Sequence, residues 1–361
     1  LSQHFQIVVN ETIWSGDCFG ACVSHALPTL RRTAMNCQTA STPRLPIERW
    51  TFTTHDIDAY ASSQSGWHLE CDMLSGGSFA GFLDHVQLPG LRLVRETTNR
   101  ALRQHGEMNP ECCGFALTCR QEGEARFSGQ RLDTESVMVG RCDELDLCSP
   151  PGFELMGIVV DNALLRALAE RLDERGPPAW LAQRVVLHFD DATMRALRGT
   201  LLGAFAALDA MPALLADPTA TAQLRDDVLL AWLEALPEDV DLRELRSTEA
   251  QRRVVRRACE LMMARPDEPL SMLEVCGRIG ASQRKLNYCF QETLGLSPAR
   301  YLRALRLNGV RRELKRLGAG SVQDIAAHWG FWHLSQFATD YRRQFGELPS
   351  QTLRGAALMH H

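Results

Sequence analysis

A chain of 361 residues is long enough for two domains, or for one large and one small, and 45% hydrophobic residues supply real cores. No apolar run approaches the roughly 18 residues of a membrane-spanning helix, so a soluble, cytoplasmic protein with no membrane partner is expected. The formal net charge of −5 conceals a division: from Ser247 onward 18 Lys and Arg stand against 10 Asp and Glu, and before it 21 stand against 34. A basic region tied to an acidic one is expected where the first meets phosphates and the second does not.

Residues 1–45 carry neither sustained periodicity nor turn logic, and they begin with Leu1 rather than methionine. A disordered arm is one reading, and translation from Met35 is another. Asn10–Cys22 lacks the basic leader and apolar run of a secretory signal. From Trp50 to Val160 short segments of strand character alternate with Gly and Pro. Trp67, Leu69, Cys71 and Met73 alternate with His68, Glu70 and Asp72, the period of a half-buried strand. Further strands are predicted at 79–86, 91–95, 114–119, 135–139 and 153–160, divided by Ser75-Gly76-Gly77, Pro89-Gly90, Ser128-Gly129 and Pro150-Pro151-Gly152. That number of strands suggests a sandwich or small barrel.

Helical spacing returns over 161–236. Leu164, Leu165, Leu168 and Leu172 make one face; Met194, Leu197, Leu201 and Leu202 a second; Leu224, Val228, Leu229 and Trp232 a third. The polar run 237–250 reads as an interdomain linker. Beyond it, Ser271 with Glu274 forms a capping box before Met272, Val275, Cys276 and Ile279, and Gly280 stops that helix. A second helix with Leu286 and Phe290 inward follows at once, which makes a helix-turn-helix. The same pattern returns fifty positions on: Ser321 with Asp324, then Val322, Ile325, Ala326 and Trp329, then Gly330, with Leu334, Phe337 and Tyr341 on the inner face of the next helix. Between the copies, Pro298 to Leu317 reads as one connecting helix, about 30 Å long at ~1.5 Å per residue. This approaches the roughly 34 Å between successive major-groove faces of B-DNA.

On the doubled helix-turn-helix, the connector length and Ile325, Ala326, Gly330, Phe331, Ser335, Phe337, Tyr341, Phe345, Gly346 and Pro349, residues 251–355 resemble the DNA-binding domain of the AraC/XylS family of bacterial transcription regulators. Leu353 stands where that family usually has tyrosine, an exchange of one buried apolar group for another. Within the family, the run GFWHLSQFATDY is similar to that of regulators of ethanolamine utilisation. The resemblance implies an α+β chain: a cupin-like β-barrel sensor with dimerisation helices over 46–236, then an all-α double helix-turn-helix domain. It also implies double-stranded DNA and RNA polymerase as partners, a homodimer, and activation of a catabolic operon by a small-molecule effector, with ethanolamine or cobalamin suggested by that run.

Base reading is expected from polar side chains on the outer faces of the two second helices. These are Gln283, Arg284, Asn287 and Tyr288 in the first unit, and His333, Gln336 and Thr339 in the second; arginine pairs with guanine and asparagine with adenine. Asp340 and Arg343 are expected near phosphates, as are Arg312 and others of the connector's Arg300, Arg303, Arg306, Arg311, Lys315 and Arg316. No catalytic residues and no metal site are expected: His68, His85 and His105 occur singly, without the His-x-His pair of a metal cupin. The twelve cysteines include no CxxC pair and read as reduced, buried thiols. A regulator sensing redox or alkylation through cysteines, with Cys112-Cys113 the paired candidate, and a non-metal cupin-like small-molecule binder are the alternatives.

Overall fold

The computed structural model describes residues 47–358 except 65, 173–175, 267–269 and 317–319. The readings of residues 1–45 and of Leu317 fall outside the described residues. The described residues all belong to one compact unit, Pro43–His361.

The first half contains β1 (Glu48–Thr54), α1 (Ile57–Ser62), β2 (His68–Met73), β3 (Gly81–Leu88), β4 (Leu91–Thr98), β5 (Leu102–Glu107), β6 (Cys112–Arg120), β7 (Ala125–Phe127), β8 (Gln130–Leu132), β9 (Ser136–Arg141), β10 (Glu144–Ser149) and β11 (Phe153–Asp161). Then come α2 (Asn162–Leu172), β12 (Val185–His188), α3 (Asp191–Ala210) and α4 (Pro218–Ala235). The strands form a seven-stranded sheet, β1-β3-β4-β11-β6-β9-β12, and a five-stranded sheet, β2-β5-β10-β7-β8. Both orders have open ends, so the strands make two sheets and no closed barrel.

One core lies between the large sheet and α2–α4, where Phe115, Leu117 and Val137 meet Leu168, Leu201 and Trp232. Another joins the two sheets through Phe127, Met138, Leu147 and Leu155. The predicted helical faces are the ones buried, except that Leu172 and Leu202 lie outside the packed stripe and are exposed.

The second half is helical: α5 (Arg243–Met263), α6 (Met272–Ile279), α7 (Gln283–Leu294), α8 (Pro298–Leu314), α9 (Val322–His328), α10 (Leu334–Phe345) and α11 (Pro349–Leu358). Helix α5 begins within the stretch read as a linker. The connector α8 has 17 residues, shorter than the twenty read from the sequence, and spans about 25 Å at ~1.5 Å per residue. It serves two cores at once. Tyr301, Leu302, Ala304 and Leu305 pack with the first helix-turn-helix around Phe290. Leu307, Val310 and Leu314 pack with the second around Phe337 and Tyr341.

The two halves share these cores. Tyr60, Met73, Phe79 and Leu83 join the second unit, and Leu74 and Cys148 join the first. Strand β2 shows what this does to pattern reading. Leu69, Cys71 and Met73 are buried as the alternation predicts, but Asp72, on the expected solvent face, is only 1% exposed because α8 covers it.

Candidate nucleic-acid interface

Each reading helix is fixed by its start and by its apolar face. In the first unit the Ser271–Glu274 capping box closes the start of α6, Gly280 takes φ 68°, and the Ser282 hydroxyl accepts from Lys285 N to cap α7. With Leu286 and Phe290 buried, Gln283, Arg284, Asn287 and Tyr288 stand exposed on one side of α7. In the second unit Ser321 caps α9 and Gly330 takes φ 76°. Phe337 and Tyr341 face inward, and His333, Gln336 and Thr339 are exposed. Leu334 departs from the expectation: at the first turn of α10 it points away from the core and is 40% exposed.

The second unit is held on the connector by a close approach. A Cβ at Gly309 would run into the Trp329 ring, and Trp329 Nε1 donates to Glu313 Oε2 at 2.7 Å. The half-buried Leu353 packs against the same core. Asp340, expected near phosphates, is instead a buried junction, because its position beside Phe337 and Tyr341 turns it inward. It accepts from Gln336 Nε2 at 3.1 Å, from Arg343 Nη2 at 2.8 Å and from Arg303. The Gln336 amide and the Arg343 guanidinium are thereby oriented before any ligand arrives.

The connector has two opposed polar faces. Toward the β-sheets, the Asn308 amide both accepts from Met73 N and donates to Met73 O at 3.1 Å. On that face Arg312 donates to Asp72 Oδ1 at 3.0 Å, and Lys315 donates to Asp58 at 2.6 Å and also to Asp56. Burial alone would raise the Asp72 carboxyl, but His105 and Arg312 together hold it below its ordinary value. Arg312, expected near phosphates, is therefore placed on a buried carboxylate of the first half. Its charge signalled DNA, yet its helical position put it on the covered side. Away from the sheets, Arg303 and Arg306 line a cleft of about 390 Å³ together with Gly330, Trp332, His333 and Gln336.

Between the sheets lies a cavity of about 70 Å³, lined by Gln64, Trp67, Glu96, Gln104 and apolar side chains such as Phe115 and Met138. The buried Glu96 accepts from Tyr60 Oη at 2.9 Å and from Gln104 Nε2 at 3.3 Å, with His85 Nε2 at 3.5 Å. Gln64 Nε2 is buried there with no hydrogen-bond partner among the described residues. His85 is fully buried, whereas His68 is exposed, so the barrel-region histidines do not share one environment. Burial pushes the Cys112 and Cys113 thiols up to about 12; at Cys112 the nearby Asp161 adds to this and Arg92 opposes it. Thiols held this way are poor nucleophiles, which weighs against a cysteine-based sensor at that pair.

Two helix-turn-helix units on a shared connector, with polar outer faces and apolar inner ones, define a DNA-binding protein. The family profile described as a helix-turn-helix domain matches residues 275–355. The chain is 30% identical over 230 residues to the probable thc operon regulatory protein of Rhodococcus erythropolis, covering 60% of this chain and 67% of that one. It is 43% identical over 75 residues to the XylDLEGF operon transcriptional activator of Pseudomonas putida, a match covering 20% of this chain and only 23% of the activator. A solved transcriptional regulator with an AraC-type DNA-binding domain from Chromobacterium violaceum is 30% identical, covers 30% of this chain and 96% of its own, and has a TM-score of 0.29. The chain belongs to the AraC/XylS family of transcription regulators. It is a DNA-binding regulator of transcription.

Proposed function

We propose that one subunit reads an asymmetric DNA site across two successive major-groove segments. Gln283, Arg284, Asn287 and Tyr288 read one segment; His333, Gln336 and Thr339 read the other, and Arg343 steadies the backbone beside it. The observation that carries this reading is the mounting of both exposed polar faces on one connector through separate apolar cores. The site is asymmetric because the two sets of residues differ. Residues 251–355 are the DNA-binding part and 46–236 the sensor, with a cupin-like ancestry for its sheets.

The cavity holding Glu96 and the unpaired Gln64 amide is where a small-molecule effector binds, and the shared cores carry its effect to the reading helices. The regulator is a cytoplasmic activator of a catabolic operon, working through RNA polymerase. Ethanolamine or a cobalamin is supported as effector only by the run GFWHLSQFATDY. The exposed Leu172, Leu202 and Met211 support a homodimer through the helices that follow the sheets. Footprinting of the full chain on a duplex selected from a random pool tests the reading: two protected segments about ten base pairs apart are expected for each bound subunit. A single protected segment, or equal affinity for random DNA, would exclude it.

A further inference from the structure

The cleft between the two helix-turn-helix units is lined by Asp340, which Arg303 already holds, and by a further cation, Arg306, that pairs with no carboxylate among the described residues. Arg306 stands two residues from Asn308, about 200° around the helix, and so faces away from the sheets that Asn308 and Arg312 grip. Its Nε is buried and meets no hydrogen-bond partner, and among the described residues no carboxylate pairs with its guanidinium. Burial accordingly pulls this guanidinium below its ordinary value, whereas Arg312, paired with Asp72 on the other face, is raised. A half-buried cation is costly to leave uncompensated, so its retention here points to an anion that arrives from outside.

The walls say which anion. His333 and Gln336 of the second reading helix line the same cleft, and Trp332, 65% exposed, stands at it. Arg303 reaches in from one turn before Arg306, held by Asp340. A duplex lying across both reading helices has to pass its backbone over this cleft, between the two major-groove segments.

We propose that the cleft is a phosphate-binding site for the DNA backbone, in which Arg306 pairs with a phosphate between the two segments and Arg303 exchanges Asp340 for the same strand. The inference rests on the two-groove reading above and adds to it a contact outside both reading helices. Such a contact carries no base information; it fixes the duplex between the two helices and adds salt-dependent affinity.

The test compares the full-length wild type with Arg306→Gln and Arg306→Lys, on a duplex selected by the wild type from a random pool and on a random duplex of equal length. Affinities are measured over a series of salt concentrations, and thermal unfolding is recorded for each protein. Arg306→Gln should lose about tenfold in affinity on both duplexes, and the slope of log K against log salt should fall by about one. Its unfolding midpoint should be no lower than that of the wild type, and Arg306→Lys should recover most of the slope. An unchanged slope with unchanged affinity would overturn the proposal, as would a loss confined to the selected duplex, which would make Arg306 a reader of sequence. A wild type that selects no sequence would instead remove the two-groove reading itself, and the proposal with it.

Discussion

The two polar faces of helix α8 have similar composition and opposite fates. On one, Arg312 and Lys315 are matched to Asp72, Asp56 and Asp58 of the acidic half. On the other, the acid Asp340 is held by Arg303, and Arg306, which pairs with no carboxylate among the described residues, opens into the cleft beside the second reading helix. The difference teaches that a basic helix in a DNA-binding domain is not uniformly a DNA-binding surface. The same charge binds an acidic domain or a phosphate according to its position around the helix, and a two-residue step is enough to change sides.

The largest effect that sharpens this comparison is on stability. Asp72→Ala leaves the Arg312 guanidinium without its buried carboxylate and should cost about 3 kcal/mol in chemical unfolding. Arg306→Gln, which removes a cation with no carboxylate partner among the described residues, should change unfolding by less than about 0.5 kcal/mol. Equal losses would mean that the two faces are not distinct.

Next comes base reading. Arg284→Ala should cost about 1–3 kcal/mol on the selected duplex and relax the preference at one base position, measured by competition with single-substituted duplexes. Arg312→Ala, expected on charge alone to weaken all DNA alike, should leave the salt slope unchanged, because the residue faces the sheets. A slope reduced by about one for Arg312 would put that face on DNA and break the comparison.

A smaller, pH-dependent effect follows from Asp72. Its folded carboxyl lies below the ordinary value of 3.8, so the stabilisation it contributes is fully present above that value. It is lost as pH falls through the lower folded value. Acid unfolding of the wild type should therefore show a downward limb below pH 3.8 that Asp72→Asn flattens. An unaltered limb in that variant would show that Asp72 is not a charged partner of Arg312.

Much of this architecture was legible because its signals are local. Capping residues, left-handed glycines and the spacing of Leu286–Phe290 and Phe337–Tyr341 act within a few residues, and they located both reading helices. Strand β11 was readable because its residues 155–160 carry no charge and follow the turn Pro150-Pro151-Gly152. Strands β5 and β10 were not: Arg103 and Asp146, whose side chains bond across the two strands at 2.9 Å, gave each segment the polarity of a loop. Strand β12 escaped because it lies inside a stretch of helical periodicity. The sides of α8 were equally hidden, since Asp72 and Arg312 are 240 positions apart and their pairing exists only once the halves pack. The Asp340 junction beneath Gln336 and Arg343 was missed because an acid on a reading helix looks like a surface charge until its burial is known. The spacing of Phe337, Asp340 and Tyr341 at i, i+3 and i+4 was the available signal, as it puts the carboxylate beside the buried stripe.

The central claim is that one stiff connector presents both reading helices to one face of the duplex while its other face is occupied by the first half of the chain. It is tested most directly by measuring the affinity of the full chain for its selected site with base pairs inserted between the two segments. An insertion of about five turns the second segment to the far side, and one of about ten carries it a full turn beyond reach. Both should abolish high-affinity binding, whereas recovery with the ten-base-pair insertion would show a flexible connector and contradict the account.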